Sequence, residues 1–433
     1  MADLLELSSR IVDSGVAENP HNRVTQELSE VTDDIAVIES FSHVVLVRTG
    51  DGLVAFDSSG VMTAGAVVES MRRWTGEPVS HVVYTHGHAD HVGGSPAFVA
   101  DAEARGHRRP VFVGHENVVS RIDRYELTNG WNVAINQRQF GWLRPDSGMT
   151  LGGDQRFLPA DVARPDVTYR DRHDLTVGGV EMQLMHARGE TDDHTWTWLP
   201  AQRAACVGDL FIWNFPNAGN PQKVQRYPDE WAAALRAIAA HDPELLLPAH
   251  GLPIAGRDRI AGVLDQVATA LETLVADVLE AMNSGASLDT ILHSVKVDPA
   301  VLRLPYLRPL YDEPEFVVRN VWRKYGGWWD GNPASLKPAP ESAVAAEVAA
   351  LAGGADRLVA RAGELAAGGD DASMRLACHL IELAAKAAPD DPGVHEARAA
   401  VYEQRRRREM SLMTKGIFSS AVLESQSKLD DGR

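Results

Sequence analysis

Three imidazoles and a carboxylate crowd into six residues, His86-Gly87-His88-Ala89-Asp90-His91, just after the apolar run Val82-Val83-Tyr84. Imidazole nitrogen and carboxylate oxygen together suit Zn²⁺ and similar borderline ions. His86 and His88 flank a glycine, so in an extended stretch their rings point the same way. Asp90 and His91 follow one turn on and can serve a second ion beside the first. Spacing of this kind at the end of a buried strand delivers all four groups to one rim of a sheet.

Four local groups leave two ions incompletely held, so other strand ends must contribute. Three stretches place a ligand-capable side chain after a short apolar run: Glu190 and its neighbours up to His194 after 180–185, Asp209 after Cys206-Val207, and His250 after Leu245-Leu246-Leu247. His186 also follows 180–185 and competes with Glu190.

The positioning elements can be read from period and punctuation. Residues 4–12 have the spacing of a helix. Strand-like runs follow at 35–38, 43–47 and 53–57, with hairpin chemistry in Thr49-Gly50-Asp51-Gly52. Helical spacing over 64–74 precedes strand 82–84. A helix is expected over 95–108 and a strand over 110–113. Residues 118–165 read as a long, irregular stretch whose aromatics Trp131, Phe140 and Trp142 could wall a pocket. Strands resume from Leu175, at 180–185, 195–199, 204–207 and 245–247, with a helix over 229–241. Strands and helices in this order suggest two sheets between helices. An amphipathic helix is expected over 258–300, then a Pro- and aromatic-rich stretch, then Ala-rich helices over 341–366, 371–388 and 391–425. Arg405 to Arg408 read as a solvated helix face. Trp328 and Trp329 read as core or interface residues.

Composition narrows the functional classes. The 433 residues carry 60 acidic and 42 basic side chains, a net charge of −18, which disfavours a polyanionic partner such as nucleic acid. Two distant cysteines, Cys206 and Cys378, offer neither a disulfide framework nor a thiolate metal site. The acidic N-terminal stretch lacks the pattern of a signal peptide, and no membrane span is expected, so the cytoplasm is the expected location.

With these residues in place, the chain resembles the metallo-β-lactamase superfamily over roughly residues 30–255. That resemblance implies an α+β protein, an αβ/βα sandwich with a mono- or dinuclear metal site. Where most members carry Gly-His-Thr, this chain reads Gly189-Glu190-Thr191, which is similar to the zinc-dependent alkylsulfatase branch. The 19 residues from Glu190 to Asp209 and the stretch Tyr325-Gly326-Gly327-Trp328-Trp329-Asp330-Gly331-Asn332-Pro333 agree with the same branch. The resemblance implies a catalytic domain over 1–260, a helical connection over 261–337, and an all-α dimerisation domain over 338–433. The extra lipid-carrier-like domain of larger members is not expected.

Carried onto this sequence, the resemblance gives the first metal His86, His88 and Glu190. It gives the second Asp90, His91 and His250, with Asp209 bridging and His194 a hydrogen-bonding support. Two Zn²⁺ per chain, a metal-bridging hydroxide and a homodimer through the C-terminal helices are implied. Asp90 and Asp209 hold the catalytic geometry. The carboxylate of Glu190 makes the shell more anionic than a histidine would. Sulfate would be held by Asn217, with Lys223 and Arg226 as the available cations, because Asn220 and Gln222 stand where the branch carries Thr and Arg. The expected function is hydrolysis of alkyl sulfate or related anionic esters. Hydrolysis of a lactone, thioester or phosphoester at the same site is the alternative. A non-enzymatic dimeric interaction protein with a vestigial metal site is the third reading.

Overall fold

The computed structural model describes residues 3–17, 21–140 and 156–431. The described residues form two compact units. One comprises 3–17, 21–133, 156–286 and 290–325, the other 134–140, 287–289 and 326–431. Trp142 lies outside the described residues.

The first unit contains two sheets. One orders its strands in space as in sequence: β1 (Leu28–Glu30), β2 (Ile35–Ile38), β3 (Val44–Thr49), β4 (Gly52–Phe56), β5 (Val79–Val83), β6 (Val111–His115) and β7 (Val167–Tyr169). Pairing is antiparallel up to β4 and parallel from β4 to β7. The other comprises β8 (Arg172–Val177), β9 (Val180–His186), β10 (Thr195–Leu199), β11 (Ala204–Ile212), β12 (Leu245–His250) and β13 (Ile254–Ala255), again in spatial sequence, with only β11 and β12 parallel.

Side-chain alternation explains the layers. Ile35, Val37, Val45, Val47, Val54 and Phe56 face Met182, Leu184, Leu199, Cys206 and Leu247 of the second sheet. Their neighbours Ala36, Ile38, Val44, Leu46, Leu53 and Ala55 face the other way, onto Val67, Met71, Phe98, Val118 and Ile122 of the outer helices. Both faces are buried, so these strands read as continuous apolar runs. The sheets are sewn together at one rim by backbone bonds, Thr195 N to Thr85 O at 2.6 Å and His43 N to Ala249 O at 2.7 Å.

Several elements differ from the sequence expectation. Helices span Glu116–Leu127 and Asn129–Gln139 where an irregular stretch was expected. Val118, Arg121, Ile122 and Tyr125, all buried, supply the helical spacing of the first. The single helix expected over 258–300 is Arg257–Asn283 and Leu288–Ser294, broken at Gly285 with φ +82°. A helix, Pro314–Gly326, lies in the Pro- and aromatic-rich stretch.

The second unit is helical: Pro333–Leu336, Glu341–Ala352, Ala355–Ala367, Asp371–Ala387, Pro392–Arg408 and Leu412–Asp431. Gly353 and Gly354, at φ +90° and +125°, split what was expected as one helix. Its core is built from Leu358, Ala362, Met374, Ile381, Val394 and Val401. Arg405 is buried between Asp371 and Glu409, whereas Arg407 pairs with Glu403 in solvent, so only part of the arginine run is a solvated face. Trp328 is 71% exposed and takes no place in a core of this chain.

Candidate metal centre

The histidine cluster begins where β5 ends. Asp57, one residue past β4, accepts hydrogen bonds from Thr85 N at 2.7 Å and Thr85 Oγ1 at 2.8 Å, which fixes the start of the loop. Gly87 must be glycine, because a Cβ there would lie 2.9 Å from both Arg121 Cδ and Asp193 Oδ2. Its amide donates to Asp193 Oδ2 at 2.9 Å, and Arg121 Nε pairs with the same oxygen at 2.8 Å. A short helix, Ala89–Val92, then turns Asp90 and His91 back toward His86 and His88.

The second sheet supplies the rest. Glu190 follows β9 in the turn before β10. Asp209 lies inside β11 rather than beyond it, because the strand continues to Ile212 past a register shift at Gly208. Gly208 has φ +51°, and a Cβ would sit 2.7 Å from Thr85 Cβ, so this irregularity aims Asp209 at the rim. His250 is the last residue of β12.

Two groups of donors result. His86, His88, Glu190 and Asp209 each offer an atom within 4.8 Å of the others, and so do Asp90, His91 and His250. One atom, Asp209 Oδ2, joins the groups: it lies 3.9 Å from His86 Nε2, 3.5 Å from His91 Nε2 and 3.5 Å from His250 Nε2. Asp90 Oδ2 is 3.5 Å from His91 Nε2 and 3.4 Å from His250 Nε2, and Glu190 Oε1 is 3.7 Å from His88 Nδ1. Four ligands at 2.0–2.1 Å around a tetrahedral zinc stand about 3.3 Å apart, so these separations suit ions of that size.

The histidines divide in chemical state: against burial, Asp209 and Asp90 raise the His91 and His250 imidazoles above their usual range, whereas His86 and His88 are lowered. Burial, then His91 and His88, holds the His86 imidazole well below its usual range, and burial with Arg226 does the same for His88. Both rings are therefore neutral, the form that coordinates a cation. His91 Nδ1 faces Asp57 Oδ2 at 2.7 Å, which directs Nε2 into the site. Buried His91 Nε2 and Asp209 Oδ1 have no hydrogen-bond partner among the described residues. Orphaned buried lone pairs of this kind fit a bound cation.

The other candidates divide. His194 Nε2 accepts from Asp209 N at 3.1 Å and stacks on His86 at 4.8 Å, holding a donor in place. His186 turns away, onto the His194 carbonyl and the His115 ring at 3.8 Å. Asn217 Nδ2 donates to Glu190 Oε1. Arg226, expected on the substrate anion, has its guanidinium on Glu190 instead, with Nη1 2.8 Å from Oε1. Lys223 lies 5.6 Å over the Phe157 ring. Burial and Arg226 bring its ammonium down to about 7, while Asp90 and Glu190 pull it up. Phe41, half exposed, sets its ring edge-on to His250 at 5.9 Å and adds an apolar wall.

Sequence reasoning missed Asp57 and the buried Asp312 and Asn320. Asp57 could have been found, since it follows an apolar run as Asp209 was expected to. Asp312 Oδ2 accepts from Gly219 N at 2.6 Å, and Asn320 Oδ1 accepts from Arg226 N at 3.3 Å. Both sit in or beside a helix the sequence reading did not foresee.

Comparison with known proteins agrees with this architecture. Residues 37–250 match the metallo-beta-lactamase superfamily, and residues 287–428 match the alkyl sulfatase dimerisation family. A linear primary-alkylsulfatase of Pseudomonas sp. (strain ATCC 19151) is 25% identical over 398 residues, covering 89% of this chain and 74% of that protein. The alkyl/aryl-sulfatase BDS1 of Saccharomyces cerevisiae is 23% identical over 359 residues, covering 77% and 54%. The solved structure of the inverting sec-alkylsulfatase Pisa1 from Pseudomonas sp. superposes with a TM-score of 0.80 at 23% identity, covering 93% of this chain and 66% of that one, and shows a shared fold. The chain thus spans between about half and three quarters of the length of these relatives.

The two-sheet domain, with its rim of histidines and carboxylates, is a metallo-β-lactamase superfamily domain over residues 37–250. An alkyl sulfatase dimerisation domain follows it over residues 287–428, and the similar curated proteins include alkylsulfatases. Among the described residues no helix is long and apolar enough to cross a membrane.

Proposed function

We propose that this chain is a dinuclear zinc hydrolase of alkyl sulfate esters or closely related anionic esters, working as a homodimer in the cytoplasm. The observation that carries the reading is Asp209 Oδ2, a single oxygen within 3.5–3.9 Å of imidazoles from both donor groups. His86, His88 and Glu190 would hold one ion, Asp90, His91 and His250 the other, and Asp209 both. When bound, two such ions supply the Lewis acidity that activates a water near neutral pH. The protein's own residues do the remainder. Asp57 fixes the tautomer of His91, and His194 fixes the backbone of Asp209. Lys223 supplies positive charge for the anionic head of the ester, and Phe41 an apolar surface for its chain.

The engagement of Arg226 by Glu190 favours a second reading, in which another ester class is turned over. It leaves Lys223 to hold the anion, a point charge in place of a bidentate clamp. The test assays the zinc-loaded protein against sulfate, phosphate, thioester and carboxylate esters. A sulfate ester should be turned over fastest. If another class is faster, the second reading replaces the first, and zinc below one ion per chain removes both.

A further inference from the structure

We propose that Arg226 is a positioning residue whose charge cancels that of Glu190, so that the pair presents a metal ion with the net charge of a neutral histidine. This rests on the reading of Glu190 as a ligand of the first ion. The observations are geometric. Arg226 Nη1 lies 2.8 Å from Glu190 Oε1 and donates to the Glu190 carbonyl at 2.6 Å, and both side chains are under 5% exposed.

The arginine is itself clasped. Asn320 Oδ1 accepts from Arg226 N at 3.3 Å, and Asn320 Nδ2 donates to Arg226 O at 3.0 Å. One residue further, Tyr227 N donates to Gly189 O at 2.9 Å, so the stretch 226–227 is zipped to the turn 189–190. A guanidinium tied down in this way is built to orient a carboxylate rather than to meet an arriving ester.

Charge arithmetic gives the arrangement its purpose. A carboxylate at position 190 adds a negative charge beside Asp209, and the two repel in a buried site. The Arg226 guanidinium on Glu190 Oε1 offsets that excess and, having no lone pair to offer, takes no coordination position itself. The pair should therefore be exchangeable as a unit: a neutral ring at 190 has no use for a cation at 226, and each half alone leaves an uncompensated buried charge.

The experiment is a double-mutant cycle with Glu190→His, Arg226→Gln and the double variant, with Glu190→Ala as a control. Zinc affinity by chelator competition and thermal unfolding of the metal-free protein are both read. Each of Glu190→His and Arg226→Gln should weaken the tighter zinc by about tenfold or more, the scale of losing a group that orients a ligand, and should lower the unfolding temperature. The double variant should recover most of both losses. A double variant no better than the poorer single one overturns the proposal, as does unchanged zinc affinity in Arg226→Gln. If the single variants do not fold, the double variant must fold for the proposal to stand. Glu190→Ala separates the two levels: retention of both ions removes Glu190 as a ligand and the inference with it, while loss of one ion without rescue in the double variant removes the inference alone.

Discussion

The two halves of the candidate metal centre are assembled in opposite ways. His86, His88, Asp90 and His91 come from one loop behind one strand of the first sheet. Glu190, Asp209 and His250 come from three separate places on the second. The supports differ in sign as well. On the local half, a buried carboxylate, Asp57, stands behind an imidazole at 2.7 Å. On the remote half, a buried guanidinium, Arg226, stands behind a carboxylate at 2.8 Å. In both pairs the ligand is backed by the charge that complements it. The two supports, Asp57 and Arg226, lie on stretches of chain that carry no candidate ligand.

The comparison can be broken most severely at the junction. Asp209→Asn replaces the oxygen shared by both halves, and bound zinc should fall from two ions to one or fewer, with turnover down by about a thousandfold or more, as expected when the activating ions are lost. Metal analysis beside a turnover assay reads both. Retention of two ions would show that the halves are held independently.

Asp57→Asn acts on the local half alone. It keeps the shape but removes the charge behind His91, and zinc affinity should fall by about 10- to 100-fold with the fold intact. Chelator competition measures it, and an unchanged affinity would confine the backing role to the remote half.

The smallest effect concerns Asp312, which supports the remote half by accepting from Gly219 N. Burial raises its carboxyl from 3.8 to about 7, against the two backbone amides it accepts. Between those values the folded chain binds more protons than the unfolded one, so this residue's contribution to stability declines as pH rises from about 4 to about 7. The wild type should lose stability relative to Asp312→Asn across that window, at about 1.4 kcal/mol for each pKa unit of the shift. Denaturant unfolding of both proteins at pH 4, 5.5 and 7 gives the difference. A constant difference would mean that Asp312 keeps its charge.

The same contrast explains what could be read from the sequence. The local half was legible because its chemistry lies within six residues. The remote ligands were legible one at a time, since Glu190, Asp209 and His250 each come at or after an apolar run. Their supports were not. Asp57 reaches His91 only because β4 and β5 pair in parallel with Phe56 opposite Val83. Arg226 reaches Glu190 only because Tyr227 bonds Gly189. Such pairings depend on register and loop path, which spacing does not encode. The helix over 314–326, which carries Asn320, was hidden by the proline and aromatic density around it. Asp209 was placed beyond a strand because a glycine reads as an end, whereas here it marks an irregularity within one.

The ligands straddle a seam between two sheets, joined at this rim by backbone bonds such as Thr195 to Thr85. An ion bound across that seam ties together stretches of chain far apart in sequence. It thereby acts as a reversible cross-link that the unfolded chain lacks, linking conformational stability to free metal by mass action. At a concentration 100 times the dissociation constant this contributes about 2.7 kcal/mol per site. Metal scarcity would then be felt first as a loosened edge of the sandwich, open to proteolysis, in addition to lost turnover.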